Sequence, residues 1–526
     1  LFDKDCNMNR FHLIAIAAAS VCATQAHALT PAQIEAARAD GTLREIRIAG
    51  ASALRLSVAA YMREICAAPT FDVIWNSNSE GTFHRAYSCN LGVAQGNFPV
   101  GTPVLVYKRD QGGSGQGVNP IARADDQTHM RVVNDATCTA INTSPATDAA
   151  VPSFICTGTE TTGIKSDAGI SDVEPALFSA AVNLPGTAAL TPAQLGALNV
   201  APLAQALFAV AVNTKAYRAL QEAQGIIIPG APLIDVPADQ STWTDADLAT
   251  IPSLPSNFVR SVLTGQAFGG PSARGWNVVI PNVPYRLSVL DANAPQRPAV
   301  DANSALKTLN VCRRVEGSGT QAVSNVFFAN NPCGAGAAAF APLGNPGSSG
   351  DTETRVSTVQ NGGAPAIQEG SGNGNVEGCL GADTNSAVQA GTDNTAYALG
   401  ILGREANPKR GGNDLGYRYV RLDGIAPVRN EAKAGKYGMV YEATMQWNNN
   451  TLAGQTDKIA FLTALRTGFG SPNGLAAVDS DTQQGVMSPP AAWPGTYAAA
   501  TGNAALFGSR VARIAGNSCA PLRVVK

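Results

Sequence analysis

Val311-Cys312-Arg313-Arg314-Val315-Glu316-Gly317-Ser318-Gly319-Thr320-Gln321 is the most instructive stretch of this 526-residue chain. An apolar lead-in, Leu309 to Val311, enters two arginines, then a run of small residues, then Ala322 to Phe328 with helical spacing. The pattern predicts a strand that turns through Gly-Ser-Gly-Thr into the first turn of a helix. Unpaired backbone N–H groups and the positive end of the helix dipole would gather there and attract an anion. Ser318 and Thr320 would add hydroxyl donors, and Arg314 a planar guanidinium able to hold two oxygens. In a chain with 53 glycines, one Gly-Ser-Gly turn is ordinary by itself.

The pattern recurs, however. Leu43 to Ala49 alternates like a strand, ends at Gly50-Ala51-Ser52-Ala53, and is followed by helical spacing from Leu54 to Cys66. Pro103 to Tyr107 runs through Lys108-Arg109-Asp110 into Gly112-Gly113-Ser114-Gly115-Gln116-Gly117, and Gly169-Ile170-Ser171-Asp172 forms another small-residue turn. Four such points in series predict α/β layers with mostly parallel sheets and a ligand beyond the carboxyl ends of the strands. Leu207 to Val212 is continuously apolar, as a buried central strand would be, and Met439 to Met445 resembles a second crossing strand. Helices are expected over Lys215–Gln224, Thr244–Ala249, Asn257–Thr264 and Thr456–Thr467. Residues 124–162 read as a polar surface excursion, and residues 343–377, rich in Gly, Ser, Asn and Pro, as a long loop with little core.

Bulk properties narrow the function. Lys plus Arg number 37 against 39 acids, so no global field favours nucleic acid, and any anion site must be local. No apolar run is long enough to span a bilayer. Met8-Asn9-Arg10, the apolar stretch His12 to Val21 and Ala26-His27-Ala28 read as an export signal cleaved after residue 28. The eight cysteines beyond it suggest four disulfides in an oxidising compartment. Spacing favours Cys66–Cys89 and Cys138–Cys156. The other four leave two options: Cys312–Cys333 with Cys379–Cys519, or Cys333–Cys379 with Cys312–Cys519. No Cys-x-x-Cys pair suggests zinc, and no metal or cofactor is expected. Neither Ser114 nor Ser318 sits in a Gly-x-Ser-x-Gly elbow, which argues against a hydrolase.

Arg313-Arg314-Val315-Glu316-Gly317-Ser318-Gly319-Thr320 resembles the Arg-x-x-Gly-Ser-Gly-Thr loop of the phosphate-binding proteins of ABC transporters. The loops at Ser52, Ser114 and Asp172 are similar to that family's first three, in its order. The resemblance implies a two-lobed type II periplasmic-binding-protein-like α/β fold with loop-rich, disulfide-bearing insertions. Residues 1–28 would be upstream residues and signal, 29–211 and 440–526 lobe I, and 212–439 lobe II. It implies that Ser52, the Ala53 backbone, Ser114, Ser318, Gly319 and Thr320 donate to phosphate oxygens. Arg314 would pair with two oxygens, and Glu316 would steady it. Asp172 would accept the proton of monohydrogen phosphate and leave sulfate unmatched. Ala53 stands where the family carries an aromatic, and Glu316 where it carries Asp. The expected protein is a non-enzymatic, monomeric, periplasmic or extracellular binder of inorganic phosphate, partnered by an ABC permease. The competing expectation is a secreted scavenger, adhesin or surface protein that keeps the fold without transport.

Overall fold

The computed structural model describes residues 29–76, 84–141, 152–184, 186, 188–228, 231–265, 276–280, 310–335, 354–356, 366–381, 397–409, 413–478, 485–490 and 504–524. The expected export signal lies outside them. Among the described residues no helix is long and apolar enough to cross a membrane.

Ten strands and three helices position the site. In chain order they are β1 (Arg44–Gly50), α1 (Arg55–Ile65), β2 (Asp72–Trp75), β3 (His84–Asn90), β4 (Pro103–Arg109), β5 (Ala168–Ser171), β6 (Leu198–Asn213), β7 (Asn310–Arg314), α2 (Gly319–Ala329), β8 (Ala366–Gly370), α3 (Asn373–Gly381), β9 (Ala398–Gly403) and β10 (Val440–Asn448). Helix α1 buries Val58, Ala59, Met62 and Ile65, a stripe at helical spacing that seats it on the sheet. Helix α2 ends at Asn330, whose φ of 51° lies in the left-handed region that stops a helix. It is buried on nearly every side, so it is a core element rather than a surface one.

These strands share one sheet, in the order β8-β7-β9-β6-β10-β5-β1-β4-β3-β2. The sheet has two wings joined by β6. The first half of β6 pairs antiparallel with β10 (Leu198↔Asn448 to Leu207↔Val440), the second half with β9 (Phe208↔Gly403 to Val212↔Leu399). Leu207 to Val212 are fully buried, as their unbroken apolar run requires. In the first wing β1 runs parallel to both β4 and β5; in the second, β7 runs parallel to both β8 and β9.

Three expectations need correction. The sheet is mixed rather than mostly parallel, because the long strands β6 and β10 run antiparallel to each other and to their neighbours. Residues 343–377 are not simply loop: they contain β8 and the start of α3. Ala366 to Gly370 pair residue for residue with Asn310 to Arg314, so a segment without a strong local signal becomes a strand by pairing.

The disulfides follow from that missed unit. Cys66–Cys89 and Cys138–Cys156 are present, but the remaining bridges are Cys312–Cys379 and Cys333–Cys519, which neither option contained. Helix α3 packs Val376, Cys379 and Leu380 onto one face of the second wing, against Ala209, Ala211 and Cys312. That brings the Cα atoms of Cys312 and Cys379 to 5.8 Å. Cys333, past the end of α2, is left for Cys519 of the tail, at 5.2 Å.

Candidate functional site

Parallel pairing places the ends of β1, β4 and β5 at one edge of the first wing. Ala49 is opposite Arg109 and Gly50 opposite Ile170, so the loops carrying Ser52, Ser114 and Asp172 leave the sheet side by side. The packing there is too close for side chains. A Cβ added to Gly169 would lie 1.7 Å from the carbonyl oxygen of Gly117. In the second wing β7 ends at Arg314, and the turn that follows leads into α2. Gly115 N–H donates to Gly317 O at 2.7 Å, tying the second loop of one wing to the Gly-Ser-Gly turn of the other.

Arg314 lies at the centre of this junction and is 1% exposed. Its Nη1 donates to Ser52 Oγ at 3.0 Å and to Asn373 Oδ1 at 2.8 Å. Its Nε donates to Gly370 O at 3.2 Å, and its Nη2 to Ser371 O. Four of its five N–H donors are therefore engaged with the protein, which leaves one on Nη2. Burial pushes its pKa down to about 10, so it remains a cation at neutral pH. Arg313, next to it, is bound to Glu369 of β8, with Nη2 to Oε1 at 2.6 Å.

Asp172 faces Arg314 across the junction. Its backbone N–H donates to Ser114 Oγ at 3.0 Å. Burial raises its carboxyl to about 6, against the opposing pull of Arg314 and the hydrogen bond with Ser114. Among the described residues its Oδ1 is buried with no hydrogen-bond partner, and so are Ser318 Oγ and Thr320 Oγ1 at the start of α2. Ser318 stands at the N-cap position of α2 but makes no side-chain capping bond. Gly319 is where the loops touch: a Cβ there would come within 2.3 Å of Ser114 Oγ and 2.5 Å of Asp172 Oδ2. One basic residue, one acid and two spare hydroxyls thus gather at the N-terminus of an eleven-residue helix. Unmatched buried polar atoms are costly, and a tetrahedral oxyanion carrying one proton would match all of them.

All eight expected ligand residues lie at or beside this junction. Ser52, Ser114, Asp172, Arg314 and Gly319 are linked by the hydrogen bonds and close approaches above, while Ser318 and Thr320 open the same helix. Ala53 lies in the turn after β1, buried beside Gly403 of β9. Glu316 is half-buried in the turn after β7. The groups that hold Arg314 include Gly370, Ser371 and Asn373, which the sequence reading passed over. Gly370-Ser371-Gly372 repeats the Gly317-Ser318-Gly319 pattern between a strand and a helix, and that repetition was the available signal. Lys108 and Asp110 were also missed as structural parts. They form a buried pair, and Lys108 Nζ donates to Gly50 O at 2.6 Å, fastening the first loop.

No family model matches the chain, and neither does any curated protein. Solved structures similar to it include a protein with bound phosphate from Clostridium perfringens, at 11% identity, covering 84% of this chain and 100% of that one, with a TM-score of 0.38. An ABC-type phosphate transport receptor from Vibrio cholerae is 11% identical, with coverage of 80% and 94% and a TM-score of 0.30. PstS from Borrelia burgdorferi is 11% identical, with coverage of 84% and 98% and a TM-score of 0.29. Likeness at this level carries neither fold nor ligand; both rest on this chain's own residues.

Proposed function

We propose that this protein captures inorganic phosphate, as its monohydrogen dianion, at the junction of the two wings. One observation carries the reading. Asp172 Oδ1, Ser318 Oγ and Thr320 Oγ1 are buried without partners among the described residues, beside Arg314 at the N-terminus of α2. Hydroxyls and helix N–H groups donate to ligand oxygens, and the carboxylate accepts the ligand's own proton. Sulfate has no proton to offer, so it would set two negative groups against each other in a dry site.

The two wings act as lobes around the ion, with first-wing residues 29–211 and 440–526 against 212–439, and Glu316 steadies the turn after β7. The protein works outside the cytoplasm as a monomer that hands phosphate to an ABC permease. Four disulfides favour an oxidising compartment. Isothermal titration of the oxidised protein with phosphate and with sulfate tests the reading. Phosphate should bind with a dissociation constant of micromolar order, about −8 kcal/mol, and sulfate far more weakly. Equal binding of the two anions, or of neither, would overturn it.

A further inference from the structure

Arg55 is the first residue of α1, three residues beyond Ser52, and only 6% exposed. Its Nε is buried with no hydrogen-bond partner among the described residues. It sits close enough to Arg314 for the two cations to repel each other. Arg314 has already committed four of its five donors to protein atoms. A buried guanidinium Nε with no hydrogen bond among the described residues, beside another guanidinium that is almost fully bound, is unfavourable unless an acceptor completes it.

The groups around Arg55 do not supply that acceptor. Arg85 and Tyr87 face it from β3, and Asp110 from the end of β4 acts on the same cluster. Asp110 is bound by Lys108, its partner two residues earlier. Glu405, just past β9, is the acid on the opposite side. Its carboxyl already accepts from Leu56 N–H and from Ser57 Oγ, the latter at 3.2 Å. Burial raises Glu405 to about 8, beyond what Arg55 can pull down, so near neutral pH it is largely protonated.

We infer that Arg55 is a second arginine of the anion site, donating to the ligand where Arg314 cannot. The inference rests on the proposed capture of phosphate. Arg55 is a binding residue whose cost to the empty protein is offset only when the ligand is bound.

The test titrates phosphate into the full oxidised protein, Arg55→Gln, Arg55→Lys and Arg314→Ala, and also melts each without ligand. Arg55→Gln should weaken phosphate binding at least about tenfold, while Arg55→Lys, which keeps charge but loses the fork, should fall between. The ligand-free melting temperature of Arg55→Gln should hold or rise, because a buried unpaired charge has been removed. A purely structural arginine would instead lower it. Unchanged affinity in Arg55→Gln, or affinity and ligand-free stability falling together, overturns the assignment. If wild type fails to bind phosphate, the proposed function falls and takes this inference with it. If wild type binds and only Arg55→Gln is silent, the inference falls alone.

Discussion

Arg314 is bound by Ser52 of one wing and by Gly370, Ser371 and Asn373 of the other, so it is a clasp between them as well as the proposed ligand group. Replacing it with alanine should weaken phosphate binding by about 2–5 kcal/mol, the range for truncating one partner of a buried charged pair. Calorimetric titration of Arg314→Ala measures this, and undiminished affinity would remove the turn from the site. In the proposed site Asp172 sets selectivity instead. Asn at that position keeps the shape, removes the charge and adds an N–H donor. Asp172→Asn should therefore narrow the phosphate-over-sulfate preference by at least about tenfold, or ~1.4 kcal/mol. If Asp172 serves only to shape the turn, the mutant loses stability and keeps the ratio. Glu405 makes a pH prediction with a definite sign. Its native carboxyl titrates near 8, above the ordinary carboxylate range. The native state therefore holds a proton that the unfolded chain has released, and stability present at low pH is lost as pH rises toward 8. Denaturant unfolding at about pH 5 and pH 8 should show that decline, and Glu405→Gln should flatten it. An equal slope in both proteins would mean that this carboxyl does not titrate as its burial implies.

At the scale of elements, the informative unit is strand, small-residue turn and helix. Gly319 opens α2 where a Cβ would meet Ser114 Oγ at 2.3 Å and Asp172 Oδ2 at 2.5 Å. Gly319→Ala should force the Asp172 loop away from the helix, costing about 1–3 kcal/mol in stability by overpacking. Phosphate affinity should fall with it, and a mutant with both properties intact would show that the close approach is dispensable. The units at Ser52 and Ser318 were legible because each couples an apolar run to a turn and then to a helical period; those at Ser114 and Asp172 showed as small-residue turns without the helical period. The unit at Gly370-Ser371-Gly372 was not. Its strand, Ala366 to Gly370, contains Gln and Glu, and its pairing with β7 supplies the order that local propensity does not. Missing it meant missing α3, and with α3 the partner of Cys312.

The whole molecule adds what no element carries. Strand β6 changes partners from β10 to β9 between Leu207 and Phe208, so it runs from one wing into the other. If they act as lobes, saturating phosphate should compact the protein, and small-angle scattering with and without ligand reads this directly. An identical radius of gyration in both states would rule out hinge closure. Sequence by itself determined the local chemistry: which strands turn into which helices, where hydroxyls and one arginine stand at helix starts, and that cysteines near in sequence would bridge. Those features follow from period, turn residues and short loops, which act over a few residues. Only the tertiary structure decided that Asn373 and Ser371 hold Arg314, that Cys312 joins Cys379, and that Arg55 Nε is buried near Arg314 with no hydrogen bond among the described residues. Pairings of that kind depend on sheet order and on which helix covers which face, and they are set by burial and strand pairing across hundreds of residues.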